Sequence, residues 1–359
     1  MIDIAGIIHV GHSGHLHLRL KTNMSGFALR NPLTTKSSLL GLVAALFALT
    51  VVAQPTTTLR ITTEYPATSM PGLGVSSFAE RVAQKTGGRL MFETSFDATA
   101  GFKSADMVDA VQARKIDAAD AFAGGVANKY PLFAVSSLPF LADSLPRAEA
   151  LLKAARPAYE RFLQAHGQKL LYTTPWPASG IWSRKPVTSL DGLRALRIRT
   201  YDDMSQATLT AAGAWASNIS FADAMARIAA GDVDAVLSSG DGGAGRKLWQ
   251  YLPAFTEINY AMPISIATIN LAAYESLDAA GRTAVDQAAA ETETAQWQRI
   301  RSRLEDNYRV MHSNGVVIEM NVPPSVTGAL KAASVGAVRQ WKEKVGPDAD
   351  DILKRFGSN

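Results

Sequence analysis

The chain has 359 residues, of which 47% are hydrophobic, and a formal net charge of +4, which is typical of a folded protein of about two domains. It contains no cysteine, and this excludes a disulfide framework, thiolate-held zinc or iron–sulfur sites and a thiol nucleophile. Residues 1–53, with four Lys and Arg and one acid, contribute +3 of the charge, so the remainder carries only +1. A clustered basic face is therefore not expected, and we predict no nucleic-acid partner.

The N-terminal segment has the pattern of an export signal. An uncharged run at 39–52 with only one polar residue, Thr50, follows Arg30 and Lys36 and is shorter than the roughly 20 residues of a membrane-spanning helix. It ends at Ala53, with a small residue where a signal peptidase cuts. We expect residues 1–53 to be an N-terminal extension plus signal peptide, cleaved near 53/54, and the mature protein to be periplasmic. An uncleaved membrane anchor is the alternative.

Strands alternate with helices in the first part of the mature chain. The pattern of apolar residues predicts strands at 59–63, 90–95 and 116–122, with helices at 76–85 and 105–113 between them. Such alternation indicates βαβ units and a largely parallel sheet.

A second block of the same kind follows. Strands are predicted at 196–201, 216–219 and 233–237, with helices at 204–212 and 221–230. Two separate βαβ blocks predict an α/β protein of two lobes, each with a mostly parallel sheet flanked by helices.

A long helix is predicted at 278–313, which lacks proline and has its only glycine in the first turn. Five apolar residues form one stripe on it: Trp297, Ile300, Leu304, Tyr308 and Met311. At 1.5 Å per residue the helix would be roughly 50 Å long, so we expect it to bridge both lobes. The expected lobe boundaries are 56–178 with 265–303 for lobe I, and 179–264 with 304–359 for lobe II.

The sequence carries no recognisable catalytic set. Only His166 and His312 remain after the export signal, and neither lies in a motif with a second catalytic group. The stretch at 238–247 lacks the Lys and the hydroxyl of a phosphate-binding loop and is predicted to be a flexible loop. We therefore expect no catalytic residue, no metal and no cofactor.

Candidate ligand-binding residues follow the predicted strands, because open α/β sheets bind ligands beyond the carboxyl ends of their strands. They are Glu64, Tyr65, Phe122, Arg199, Tyr201, Asn218, Ser238 and Ser239, and Trp176, Trp182 and Trp215 fall near the same loops. Arg199 is the most unusual because it lies within a predicted parallel strand, where buried residues are normally apolar. Its guanidinium either binds a ligand carboxylate, or pairs with a protein acid, or lies at a sheet edge.

Five segments in sequence order resemble one known family: Phe78-Ala79-Glu80, TGGRL at 86–90, SSLPFL at 136–141, RKPVTSLDGLRALRIRT at 184–200 and GAWASNISFADAMARIAAGDVDA at 213–235. They are similar to the solute-binding proteins of TRAP (tripartite ATP-independent periplasmic) transporters, of the C4-dicarboxylate-binding, DctP-type family. The resemblance implies a two-lobed periplasmic binding protein fold that closes around an organic acid anion held by an arginine, here Arg199. It also implies delivery of the ligand to TRAP membrane permease subunits.

The chain departs from the family pattern at the ligand site. Sialic-acid-type members carry a second arginine where this chain offers Ser179 and Trp182, and Ser238 falls at or near a position that is commonly asparagine. With one cation missing and aromatic residues nearby, among them Tyr260, we expect a monocarboxylate with an apolar or aromatic body.

A monomer is expected because we identify no extra C-terminal helix that would favour a swapped dimer. The alternatives are an exported enzyme acting on organic acids, with Glu64 as its base, and a ligand-sensing module for a membrane kinase.

Overall fold

The structure, a computed structural model, describes residues 56–357. The expected N-terminal extension, signal peptide and cleavage site lie outside the described residues. Within residues 56–357, no helix combines the length and the apolar character needed to cross a membrane. The described part of the chain is one compact body that contains two β-sheets.

The first sheet has five strands in the order β2-β1-β3-β10-β4. These are β1 Thr57–Thr63, β2 Leu90–Ser95, β3 Ala118–Phe122, β4 Gln168–Pro175 and β10 Ile264–Asn270. β1 is parallel to β2 and β3, whereas β10 is antiparallel to β3 and β4. β3 and β10 lie inside the sheet and are buried along their whole length.

Helices connect and cover the strands of this first lobe. They are α1 Met70–Lys85, α2 Ser104–Gln112, α3 Ala123–Ala127, α4 Leu145–Ala165 and α9 Leu271–Glu275, with a 3₁₀ segment at Pro131–Ser137. α1 begins earlier than the predicted helix at 76–85. The side chain of Ser69 caps the N-terminus of α1 by accepting from Gly72 N, and Pro71 is tolerated in the first turn.

The second sheet has six strands in the order β11-β9-β5-β8-β6-β7. These are β5 Ser179–Ser183, β6 Arg197–Thr200, β7 Trp215–Asn218, β8 Ala235–Ser239, β9 Ala254–Thr256 and β11 Val317–Glu319. β6 is parallel to β7 and β8, and β9 to β11, whereas β5 is antiparallel to β8 and β9.

The helices of the second lobe are α5 Leu190–Arg194, α6 Asp203–Ala211, α7 Phe221–Ala230 and α8 Gly240–Gly245, with a 3₁₀ segment at Leu248–Gln250. The prediction of a flexible loop at 238–247 is wrong, because α8 occupies its centre. The hydroxyl of Ser239 caps α8, and Asp241 and Gly243 are buried in it.

Together the two sheets confirm the expected two-lobed α/β fold. The chain enters the second sheet at β5, returns to the first at β10 and enters the second again at β11. The lobe boundaries stay a prediction, since residues 56–357 form one compact body.

Helix α10, Ala279–Ser313, confirms the expected bridging helix. It packs on α1 and β4 of the first lobe and on α8 of the second. Ile300 and Met311 of the predicted stripe are buried, but Leu304 is 39% exposed. Leu304 follows Arg303, whose side chain bonds to Asp241 of the second lobe and to Thr68 O of the first, so the helix passes from one lobe to the other here.

Two C-terminal helices, α11 Pro324–Val345 and α12 Pro347–Gly357, were not predicted. α11 contains Gly328 and Gly336, which weaken its helical pattern. It packs on α6 of the second lobe, and α12 packs on α4 of the first. The chain's end therefore folds back on both lobes.

Candidate functional site

Two cavities with common walls lie where strands of both sheets end. One has a volume of about 20 Å³ and the other about 150 Å³. The residues that line both cavities are Tyr65, Phe122, Arg199, Tyr201 and Phe221. They follow or end β1, β3 and β6, or begin α7. The structure thus places residues of both lobes around one small interlobe space.

Arg199 projects from β6 into the wall of both cavities and is only 4% exposed. Its Nε donates to Ile219 O at 2.7 Å and its Nη1 to Leu237 O at 3.4 Å. Within residues 56–357, no carboxylate lies within salt-bridge distance of this guanidinium. β6 is flanked by β8 and β7, so it is not an edge strand. Neither a protein acid among the described residues nor an edge position accounts for the buried charge.

The positive charge of Arg199 is maintained inside the protein. Burial lowers the pKa of Arg199, while the neighbouring Tyr65 and Glu64 raise it. The guanidinium carbon lies 4.8 Å from the ring centroid of Phe221, which is a cation–π contact. Because arginine ionises far above neutral pH, the group remains a fixed cation with unused donors that suit a carboxylate.

Aromatic rings form the rest of the wall. The rings of Tyr65 and Trp176 meet edge to face at 4.7 Å, and those of Phe122 and Tyr201 at 5.3 Å. Burial raises the pKa of the Tyr65 and Tyr201 hydroxyls well above the usual value, so both phenols stay neutral. These walls favour an apolar or flat ligand body.

Three serines complete the smaller cavity: Ser179 at the start of β5, and Ser238 and Ser239 at the end of β8. The hydroxyl of Tyr201 donates to Ser179 Oγ at 3.4 Å. The Ser239 hydroxyl accepts a hydrogen bond from Gly242 N and thereby caps α8. Hydroxyls therefore supply further polar groups in the wall of the smaller cavity.

Glu64 and Asn218 line the larger cavity. Both carboxylate oxygens of Glu64 accept backbone hydrogen bonds, from Ser104 N at 2.9 Å and Ala222 N at 3.3 Å. Asn218 donates from Nδ2 to Asn128 Oδ1 at 2.9 Å. Glu64 and Asn218 thus each join a residue of one lobe to a residue of the other.

Further polar contacts close the seam between the lobes. Lys103, which precedes α2, pairs with Asp223 of α7 at 2.6 Å. Arg246 pairs with Asp97 at 3.2 Å and donates to the backbone oxygen of Glu64 at 2.8 Å. The lobes are therefore in contact around the cavities.

Three candidates lie away from both cavities. Trp182 is fully buried and donates to Ser239 O; since residues alternate along β5, it lies on the sheet face opposite Ser179. Trp215 is 75% exposed at the start of β7, the end of the strand remote from Asn218. Tyr260 is fully buried and packs edge to face on Phe140.

Several cavity residues are absent from the predicted site. Phe221, Gly242 and Pro263 line the smaller cavity together with Trp176, which the sequence only placed near the loops. Phe221 directly follows the N-cap residue of α7, Ser220. A helix that begins at a strand's carboxyl end places its first residue at the ligand site, and this signal could have identified Phe221.

A larger groove of about 820 Å³ lies elsewhere, on the outer face between α4 and α10. Its lining contains Lys153, Arg156, Lys169 and Arg301, and also Glu149, Glu160, Asp286 and Glu293. The opposite charges balance and several are already paired, as Arg156 is with Glu293. None of the four cations in the groove's lining is buried as Arg199 is.

No catalytic or metal-binding arrangement accompanies the cavities. In the part of the chain that the structure describes, no group of three His, Asp or Glu side chains is placed to hold a metal ion. His166 stacks on Phe162 and does not line either cavity. The arrangement is suited to binding an anion by one guanidinium among aromatic walls.

Similar structures are receptors with bound organic acids. DctP7, a Bordetella pertussis extracytoplasmic solute receptor binding pyroglutamic acid, is 28% identical, with a TM-score of 0.80 over 84% of this chain and 99% of that one. A marine metagenome TRAP solute-binding protein specific for pyroglutamate is 27% identical, with a TM-score of 0.79 over 85% of this chain and 100% of that one. A Roseobacter denitrificans TRAP solute-binding protein with bound β-D-glucuronate shares the fold. It is 18% identical, with a TM-score of 0.74 over 82% of this chain and 99% of that one.

Sequence comparison agrees with the structural one. A curated solute-binding protein of Verminephrobacter eiseniae is 26% identical over 151 residues, which are 41% of this chain and 44% of that relative. The match therefore spans less than half the length of that relative. None of these matched proteins is described as an enzyme. The sequence model of one family covers residues 61–344, most of the chain, and the chain thus belongs to the bacterial extracellular solute-binding proteins, family 7.

Proposed function

We propose that this chain is a periplasmic receptor that binds a small organic acid, with the ligand carboxylate on Arg199, and delivers it to the permease subunits of a TRAP transporter. One observation carries the proposal: Arg199 is buried in the wall of an interlobe cavity and has no acidic partner among the described residues. A buried cation of this kind is stable only when an anion or several dipoles compensate it. A ligand carboxylate is the missing anion.

The ligand class we propose is a monocarboxylate with a compact, weakly polar body. Arg199 is the one cation of the cavities with no acidic partner among the described residues, because the other lining cation, Lys103, pairs with Asp223. The cavities also offer the aromatic rings of Tyr65, Phe122 and Trp176 and serine hydroxyls. Pyroglutamate, the ligand of the two relatives above 25% identity, has one carboxylate on a small flat ring. We therefore propose pyroglutamate or a similar small cyclic acid.

Binding would be coupled to closure of the lobes. Arg199, Tyr201 and Phe221 belong to the second lobe, and Tyr65 and Phe122 to the first. A ligand that contacts both sets binds the closed state better than the open one and shifts the equilibrium toward closure. The closed receptor would then dock on the permease.

The mature receptor is proposed to be a monomer, exported by a signal peptide that is cleaved near 53/54. The monomer is supported by the C-terminal helices, since α11 and α12 pack on α6 and α4 of their own chain. The proposal includes no nucleic-acid partner and no cofactor.

A thermal-shift screen of organic acids, followed by calorimetry, tests the ligand class. A ligand at 100 times its Kd stabilises the folded state by about 2.7 kcal/mol, so pyroglutamate should raise the Tm by several degrees. Small aromatic monocarboxylates should give weaker shifts. Stabilisation by succinate or sialate, with none by any small cyclic or aromatic monocarboxylate, would contradict the proposal.

A further inference from the structure

The cavity wall contains a buried negative charge as well as the positive one. Glu64 is 3% exposed and lines the same cavity of about 150 Å³ as Arg199. Among the described residues, no cation lies within salt-bridge distance of the Glu64 carboxylate. Its charge nevertheless acts on Arg199 and Tyr65, whose pKa values it raises.

Two helix N-termini hold the Glu64 carboxylate in place. Oε2 accepts from Ser104 N, the first residue of α2, and Oε1 accepts from Ala222 N in the first turn of α7. Each N-terminus carries a partial positive charge and unpaired N–H groups, which stabilise a carboxylate. Glu64 is therefore held by backbone N–H groups, and it acts on Arg199 through its charge without a direct hydrogen bond.

The two helices belong to different lobes. α2 follows strand β2 of the first sheet, and α7 follows strand β7 of the second. The bond to Ala222 N can exist only when the lobes are together, whereas the bond to Ser104 N lies within one lobe. Closure thus fixes the Glu64 charge at one position in the ligand cavity.

The fixed charge has a consequence for the ligand. An acid bound at Arg199 places its own negative charge in a cavity that already contains one anion. A second carboxylate on the ligand would be confined near Glu64, and at short range in a protein two like charges repel strongly. Rejection of a competitor by an unfavourable charge is a common source of specificity.

We infer that Glu64 is a specificity-determining residue that acts as a charge filter, admitting ligands with one carboxylate at Arg199 and rejecting those with two. The inference rests on the proposed function, because it requires an acid bound at Arg199. It goes further by assigning the rejection of dicarboxylates to one side chain. It also gives Glu64 a role other than that of a base.

The test compares one variant, one control and two ligands by calorimetry, with displacement titrations for weak binding. Glu64→Gln keeps the size of the side chain and removes its charge. Asp106→Asn removes an exposed charge from the first turn of α2, outside both cavities. The ligands are pyroglutamate and glutarate, an open-chain acid of similar size with a second carboxylate.

We expect the wild type to bind pyroglutamate at least tenfold more tightly than glutarate. Glu64→Gln should narrow this affinity ratio by about tenfold or more, even if both affinities fall through weaker closure. Asp106→Asn should leave the ratio unchanged.

Four outcomes are distinguishable. A ratio that narrows in Glu64→Gln alone supports the filter. Equal weakening of both ligands in Glu64→Gln overturns it and leaves Glu64 as a closure contact only. Wild-type protein that binds both acids equally also overturns the filter, while the role of Arg199 stands. Wild-type protein that binds neither acid overturns the filter and the proposed ligand class together.

Discussion

The buried carboxylate of Asp241 holds together the junction of three helices. Asp241 is fully buried in α8, accepts from Met70 N at the start of α1 at 2.8 Å, and pairs with Arg303 of α10 at 2.5 Å. Arg303 also donates to Thr68 O at 2.6 Å. The side chain therefore joins the second lobe to the first lobe and to the bridging helix.

Asp241→Asn should destabilise the protein. Asparagine can still accept from Met70 N, but its amide then faces Arg303 Nε, donor against donor, and the Arg303 charge loses its partner. Breaking a fully buried ion pair costs about 3–5 kcal/mol. Because the Arg303 side chain is 22% exposed and water can solvate part of it, we expect a loss of about 2–3 kcal/mol.

Urea denaturation and a thermal melt of the ligand-free protein measure this loss, which should lower the Tm by about 4–8 °C. The matched control is Asp306→Asn, because Asp306 forms an exposed pair with Arg309 on the same helix. The control should change stability by less than about 0.5 kcal/mol. Equal, small effects of the two substitutions would refute the assignment of Asp241 as the helix junction.

Two further predictions concern the cores of the lobes. Burial raises the pKa of Asp120 from 3.8 to about 8, so the Asp120 carboxyl loses its proton at lower pH in the unfolded chain than in the folded one. The free energy of unfolding of the wild type should therefore fall as the pH rises from about 4 to 8. Thermal melts across this range should show the Tm of Asp120→Asn rising relative to that of the wild type, and a constant difference between the two Tm values would contradict the prediction. Gly243→Ala would place a Cβ 2.1 Å from Cε2 of Trp182 and should cost about 1–3 kcal/mol. Gly336→Ala, with nothing within 4 Å, should instead be neutral or stabilising in the same urea titration, and a similar loss for both would argue against the Trp182 contact.

Long, regular elements could be predicted from the sequence. Helix α10 was predicted because 278–313 lacks proline and has its only glycine in the first turn. The exposure of Leu304 was not predicted, because the apolar stripe does not show where the helix leaves one lobe for the other. That position depends on tertiary packing.

Helices that are rich in glycine or proline, or that begin with these residues, were not predicted correctly from the sequence. α1 begins with Met70, Pro71 and Gly72, a sequence that is typical of a turn. These residues are helical because the Ser69 side chain caps the helix N-terminus. α8 is two-thirds glycine, a composition that disfavours a helix. It forms because Gly243 fits against Trp182 and because Asp241 is anchored by groups distant in sequence.

The candidate site could be predicted in outline only. The rule that ligands bind at strand carboxyl ends brought together Arg199, Tyr65 and Phe122, which line both cavities. It could not orient Trp182, because every residue of β5 is buried and the sequence shows no alternation that would assign its two faces. The role of Glu64 depends on the N-termini of two helices from different lobes, and no local pattern contains that information.

Calorimetric titration of pyroglutamate into Arg199→Ala tests the claim that Arg199 binds the carboxylate of the ligand. The matched control is Arg197→Ala on the same strand, because Arg197 is exposed and pairs with Asp234 at 2.9 Å. We predict that Arg199→Ala loses about 2–5 kcal/mol of binding free energy, roughly 30-fold to several thousand-fold in Kd, while Arg197→Ala binds like the wild type. An Arg199→Ala protein that melts cooperatively and binds pyroglutamate with unchanged affinity would contradict the claim.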